Sequence, residues 1–174
     1  MIENLSNPDL EVLDYFVRRP GEKVHVRGLS KELDASYSTV RKSLEQLQGL
    51  GYLEVEAEAK MKFYTTGPRF EEFKRLRNLE MLGDSGLVDR LEEEFRPDAL
   101  VLFGSFLSGK DTGESDIDIA VVGGRDAQPE LEEFEEFLGR RLQLVRVEDV
   151  RSEEREFKNT LANGYVLSGY LEVV

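Results

Sequence analysis

The 174-residue chain has no cysteine and no tryptophan, and it has a single histidine, His25. Without cysteine there are no disulfides, no thiolate metal sites and no cysteine nucleophile. With one histidine, a zinc site built from imidazoles is excluded. Placed beside Val24 and Val26, His25 reads as a strand or loop residue and not as a ligand. No apolar run approaches the roughly 20 residues of a membrane span, and nothing resembles a signal peptide. The expectation is a soluble, cytoplasmic protein. Positive charge is also scarce: 23 Lys and Arg stand against 36 Asp and Glu, a net charge of −13. That balance argues against generic coating of nucleic acid, which needs basic surface. The deficit is uneven, however: residues 1–68 carry a net −2 and residues 69–174 a net −11. A local basic face therefore remains available in the first third.

Three helices and a hairpin account for that first third. In "NPDLEVLDYFVRRPGE", Leu10, Leu13, Phe16 and Val17 recur at helical spacing, with Asn7 as a cap, Pro8 in the first turn and Pro20-Gly21 as the stop. "VHVRGLSKELDAS" gives a short helix carrying Leu29 and Leu33, with Ser30 in or just before its first turn. "SYSTVRKSLEQLQGLGYL" puts Val40, Leu44 and Leu47 on one face. The alternating runs "YLEVEAEA" and "KMKFYTT" meet around Ala59-Lys60 as a β-hairpin.

This order resembles a winged helix-turn-helix domain of the MarR- and ArsR-like form over about residues 5–67. The resemblance implies that Ser36 caps a recognition helix and that Tyr37, Ser38, Thr39, Arg41 and Lys42 face a DNA major groove, with Lys60 and Lys62 on the wing near phosphates. It also implies a homodimer on two half-sites. The competing reading is a protein-contact module, since Glu54, Glu56 and Glu58 make the first wing strand acidic. Next, Phe70, Phe73, Leu76, Leu79 and Leu82 form an apolar stripe that breaks at Gly83-Asp84-Ser85-Gly86. The expected organisation is residues 1–68 as one domain, residues 69–84 as a connecting helix and residues 85–174 as a second domain.

The second domain carries the most specific pattern. Leu87, Val88, Leu91 and Phe95 form a helix face ending at Pro97. An oily strand "ALVLFGS" then leads into a glycine-bearing loop and a second strand, "DIDIAVV". Strand side chains alternate, so Asp116 and Asp118 share one face at about 6–7 Å along the chain, while Ile117 and Ile119 face the core. Carboxylates that close repel unless a cation lies between them, and a hard divalent ion with oxygen ligands, Mg²⁺ above all, meets that need. Gly104 allows close approach of the backbone to a ligand, and the Ser105 hydroxyl with neighbouring N–H groups can bind phosphate oxygens. Together they suit a nucleoside triphosphate with Mg²⁺.

Gly-Ser, ten residues, then Asp-x-Asp on an apolar strand resembles the polymerase-β-like nucleotidyltransferases, and the short second domain resembles their minimal branch. Gly109 and Ser115 also stand in family positions, and "FKNTLANGYVLSG" resembles the branch's helical tail. The resemblance implies an α+β fold, with a small mixed-sheet nucleotidyltransferase domain following the winged helix. Asp116 and Asp118 would be the catalytic metal ligands of a one- or two-metal Mg²⁺ site. Gly104, Ser105 and Ser115 would bind the nucleotide, with ATP the first candidate. The acceptor could be a partner protein such as a HEPN-type toxin, which would make this chain antitoxin-like.

Two departures stand out. The family's third carboxylate falls on a later strand, here "RRLQLVRV", where Gln143 takes its position. A glutamine accepts no proton, so the alternative function is a transcription regulator that binds nucleotide with impaired transfer. Glu148 and Asp149 could substitute only after a register shift. Where many members carry arginine after Gly-Ser, this chain has Phe106 and Ser108, with Lys110 as the nearest loop cation. A third reading makes both domains interaction surfaces of a toxin–antitoxin complex.

Overall fold

The computed structural model describes residues 5–58 and 61–173. The chain divides into two compact units, Met1–Lys74 and Arg75–Val174. The division falls inside the expected connecting helix, because the apolar stripe serves two cores. Phe70 and Phe73 are buried in the first unit's core and Leu82 in the second's, while Leu76 is 46 % exposed.

In the first unit, α1 (Asn7–Arg18), α2 (Val26–Glu32) and α3 (Tyr37–Gly49) precede a hairpin of β1 (Leu53–Glu58) and β2 (Met61–Thr66). Asn7 does not cap α1; it is the first helical residue, and Ser6 holds the cap position. The Asp9 carboxylate accepts from Ser6 N–H at 2.8 Å and Ser6 Oγ–H at 2.6 Å. It also accepts from Gln46 Nε2 of α3 at 3.0 Å, so a carboxylate only 1 % exposed is satisfied by three donors. His25 lies, as expected, in the loop between Val24 and α2, where it serves as the helix N-cap, its Nδ1 accepting from Gly28 N–H at 2.7 Å. The helix therefore starts earlier than expected, with Ser30 in its interior. Val24 bridges Tyr64, adding a short third segment beside the hairpin. Val12, Leu13, Phe16, Leu29, Val40, Leu44 and Leu47 fill the core at 1 % exposure or less, each such burial stabilising by about 1.5–3 kcal/mol.

The second unit takes in the later turns of α4 (Phe70–Asp84), then α5 (Leu87–Phe95), β3 (Ala99–Phe103), α6 (Gly104–Ser108), β4 (Ile117–Val122), α7 (Glu132–Leu138), β5 (Leu142–Val147), α8 (Arg155–Ala162) and β6 (Tyr165–Gly169). Its four strands form a mixed sheet in the order β5-β4-β3-β6, with β4 and β5 parallel and the other pairs antiparallel. Alternation gives the sheet two apolar faces. Leu100, Leu102, Ile117, Ile119 and Val121 join Leu82, Leu87, Leu91, Phe95, Phe134 and Leu138. Ala99, Val101, Ala120, Val122 and Val147 join Val150 and Leu161. The closing segment departs from the helical tail: the helix ends at Ala162, and Tyr165–Gly169 is a strand paired with β3. Among the described residues, no helix is long and apolar enough to cross a membrane.

Candidate functional site

The core-facing isoleucines of β4 fix which way its aspartates point. With Ile117 and Ile119 fully buried on one face, Asp118 emerges on the other. Asp116 lies one residue before the strand; the ladder itself starts at Ile117. Asp118 stands opposite Phe103, the last residue of β3, and the chain then turns at Gly104 into α6. Gly104 has φ +80°, and a Cβ there would lie 2.3 Å from Asp118 Oδ2. Only glycine fits both the left-handed backbone and the carboxylate packed against it. Burial pushes the Asp118 carboxyl above the usual carboxylate range, and the neighbouring charge of Asp116 adds to the rise.

Gln143 is the partner of Asp118 in the parallel ladder between β4 and β5. Asp116 is paired with Arg141, whose Nε donates to Oδ1 at 3.1 Å. Glu148 and Asp149 follow Val147, which pairs with Val122 at the far end of β4. Five residues of strand place Glu148 about 16 Å from Gln143. No register shift brings either acid to the aspartates. Among the described residues, no group of three or more His, Cys, Asp or Glu side chains converges as a metal site.

The expected loop after β3 is a short helix. The Ser105 carbonyl accepts from Lys110 N–H and Ser108 Oγ–H, each at 3.0 Å. Phe106 turns into the core at 2 % exposure, so no side chain from that position meets a ligand. Ser115 Oγ accepts from Thr112 N–H at 2.9 Å, closing the turn ahead of Asp116. A buried polar brace holds the segment from beneath. Asn78 Nδ2 donates to the Phe106 carbonyl and to Asp111 Oδ1, both at 2.9 Å, and Asp111 Oδ2 lies 3.7 Å from an Arg140 amino group.

Residues 86–168 match the family model described as Polymerase beta, Nucleotidyltransferase. The match supports the nucleotidyltransferase superfamily for this segment. No curated protein matches the chain. Two solved structures are similar over about half of it. One is a "possible transcriptional regulator" from Methanosarcina mazei Go1, 24 % identical over 52 % of this chain and 76 % of that one, with a TM-score of 0.35. The other is Sso10a-2, a DNA-binding protein from Sulfolobus solfataricus, 17 % identical over 49 % of this chain and 95 % of that one, with a TM-score of 0.32. Likeness at these scores says nothing of function. Asp111, Arg140 and the Asp116 partner Arg141 within the matched segment, and Asn78 on α4 ahead of it, had no signal in the sequence. Arg141 becomes legible only once the parallel register is known, since it precedes Gln143 by the same two residues that separate Asp116 from Asp118.

The other candidate surface lies in the first unit. Ser36 caps α3 by accepting from Thr39 N–H at 3.1 Å, and it bonds the Ser38 and Thr39 hydroxyls. Tyr37, Ser38, Thr39, Arg41 and Lys42 are all exposed on the first turns of α3. Arg41 is held by Glu45 at 2.9 Å, one turn on. Lys62 is exposed on β2; Lys60 lies outside the described residues. A cleft of about 530 Å³ between these elements is lined by Arg27, Tyr37, Arg41, Met61 and Lys62, among others. The acidic strand β1 is partly neutralised, because Lys23 pairs with both Glu56 and Glu58.

Proposed function

We propose that the chain is a DNA-binding regulator of the winged helix-turn-helix kind whose nucleotidyltransferase-like segment binds a nucleoside triphosphate with Mg²⁺, and in which nucleotidyl transfer is impaired. The observation that carries this reading is Gln143 in register with Asp118. Two carboxylates and an amide oxygen are hard oxygen donors, the class that Mg²⁺ takes, and they fit the ion as part of a shell that water and phosphate oxygens complete. Asp116 and Asp118 would hold it, and when bound it neutralises phosphate charge at the reacting oxygens. Gly104 borders the Asp118 carboxylate, and with Ser105 after it would keep the backbone close to the phosphates. Gln143 cannot take the proton of an acceptor hydroxyl. Absence of that base slows transfer by about 10²–10⁴-fold.

Support for the DNA half comes from the exposed first turns of α3, with Arg41 and Lys42, and from Arg27 and Lys62 across the adjoining cleft. Regulation requires that nucleotide bind the DNA-competent and DNA-incompetent states unequally. Two half-sites would call for a homodimer.

The deciding experiment is calorimetric titration of ATP with Mg²⁺ into the wild type and into the Asp116→Ala/Asp118→Ala variant. Binding by the wild type that disappears in the variant supports the reading, and a folded wild type that binds nothing overturns it. A transfer assay on the same samples, with candidate acceptors including a HEPN-type toxin, separates the impaired regulator from an active transferase: transfer at family-like rates would refute the impairment.

A further inference from the structure

The sheet end presents two columns on one face, Asp116 beside Arg141 and Asp118 beside Gln143. The parallel ladder sets the second pair. Ile117 N–H donates to the Arg141 carbonyl at 2.8 Å, which carries the same backbone alignment to the first pair. The contact between Arg141 and Asp116 is therefore dictated by register. Only Nε of Arg141 is engaged, at 3.1 Å from Asp116 Oδ1; its two terminal amino groups have no partner among the described residues. The guanidinium also lines a cleft of about 290 Å³ with Ser115, Asp116, Glu135 and Arg140. The block of four thus holds two carboxylates, one permanent cation and one neutral amide.

We propose that Arg141 is a built-in cation of the nucleotide site: it takes the charge position that a second divalent ion would fill, limits the aspartate pair to one divalent ion per chain, and offers its terminal amino groups to a phosphate oxygen of the bound triphosphate. The proposal rests on the metal–nucleotide reading of Asp116 and Asp118. Its logic is charge. The block has one net negative charge, so one divalent ion leaves it weakly positive and suited to a triphosphate, whereas two would leave it strongly positive. A guanidinium matches phosphate geometry through paired N–H donors, which an ammonium does not. Arg141 is 79 % exposed in its side chain. A pair this open is weak and readily exchanged, so the side chain can pass from carboxylate to phosphate without disturbing the fold.

The test uses the full chain with Mn²⁺ as a spectroscopically visible ion, counted by electron paramagnetic resonance, and Mg²⁺-ATP by calorimetry. The samples are wild type, Arg141→Ala and Arg141→Lys. One Mn²⁺ per wild-type chain is expected. Arg141→Ala should bind Mn²⁺ alone about 2–5-fold more tightly, because a competing cation has gone from Asp116. The same variant should bind Mg²⁺-ATP about 10-fold more weakly, because a charge-assisted phosphate contact has gone. Arg141→Lys keeps the charge without the fork and should stay near wild type for Mn²⁺ while falling between the two for Mg²⁺-ATP. A residue that only props the loop would weaken both affinities together. Two Mn²⁺ per wild-type chain, or an Arg141→Ala affinity for Mn²⁺ that is unchanged or lower, overturns the proposal while leaving the metal site standing. No Mn²⁺ binding by the wild type overturns the metal site itself, and this inference with it.

Discussion

Replacing Gly104 by alanine tests how tightly the turn after β3 and the aspartate strand are built around each other. Two penalties add at this position. The backbone sits at φ +80°, and the new Cβ would fall 2.3 Å from Asp118 Oδ2 and 3.2 Å from its carboxyl carbon. The left-handed conformation alone costs an L-residue about 1–2 kcal/mol, offset by about 0.4–1 kcal/mol from the lower entropy of the unfolded chain. The clash is relieved only if the Asp118 carboxylate swings away, and that removes it from the site. The backbone leg alone nets a loss of about 0–1.6 kcal/mol and displacing the carboxylate adds to it, with each kcal/mol lowering the melting temperature by about 4–8 °C for a unit of this size. Mg²⁺-ATP binding should fall further than stability does. Gly113→Ala is the control, since its Cβ would meet nothing within 4 Å.

A double-mutant cycle isolates the contact. In an Asp118→Ala background the carboxylate is gone, so Gly104→Ala should cost only the backbone strain. Urea unfolding, with hydrogen exchange at the amides of β3 and β4, reads both legs. The reasoning is refuted if Gly104→Ala costs the same with and without the Asp118 carboxylate, or no more than Gly113→Ala.

Asp118 should also leave a signature in pH. Its carboxyl is raised by burial and by Asp116, so the native state holds its proton more tightly than the unfolded chain does. The associated stability is fully present below the ordinary carboxylate range and is lost as pH rises through the raised value. Asp118→Asn should abolish that decline in urea unfolding measured across acidic pH; an unchanged slope would refute the assignment. Asn78→Ala removes two buried hydrogen bonds, to the Phe106 carbonyl and to Asp111, for an expected loss of about 1–3 kcal/mol. Exchange of the Lys110 amide should accelerate with it, and a variant that leaves that amide protected would mean the brace does not hold the turn. Lys42→Ala on the exposed face of α3 should lower DNA affinity across sequences and reduce the magnitude of the salt slope by about 1, as read by fluorescence anisotropy at several salt concentrations. An unchanged slope would take Lys42 off the phosphate path.

What the sequence made legible were elements with a strong internal period. Val40, Leu44 and Leu47 announce α3, Ser36 announces its start, and the alternating runs around residue 60 announce the hairpin. The "DIDIAVV" strand is readable because its isoleucines and aspartates sort to opposite faces. What stayed hidden depends on partners distant in the chain. Asp9 reads as an ordinary first-turn acid, yet it is buried because Gln46, on another helix, completes its hydrogen bonds. His25 has no cap signature by residue type; its ring nitrogen does the work of a serine oxygen for Gly28. Tyr165–Gly169 is short and partly exposed, and it becomes a strand because the edge of β3 is available to pair with it. The helix Glu132–Leu138 carries only two buried apolar residues, Phe134 and Leu138, too few to show a period.

The two halves of the proposed nucleotide chemistry rest on different kinds of position, and this makes them separable. Asp118 is locked by Gly104 on one side and by central strands on the other, so changes there disturb fold and binding together. Gln143 lies on β5, the outer strand of the sheet, with its side chain exposed. An exposed position on an edge strand accepts an amide or a carboxylate with little consequence for stability. On the proposed reading, position 143 can therefore be exchanged without loosening Asp116, Asp118 and Gly104, the residues proposed to hold the ion and the phosphates. Gln143→Asp is for that reason a clean perturbation. Without a divalent ion it sets a third negative charge beside Asp118 and should raise that carboxyl further; with the ion bound, the repulsion becomes attraction, so affinity for the ion should increase. Nucleotidyl transfer that appears in this variant identifies proton acceptance as the missing function. Tight Mg²⁺-ATP binding by this variant without transfer would refute proton acceptance as the one missing function.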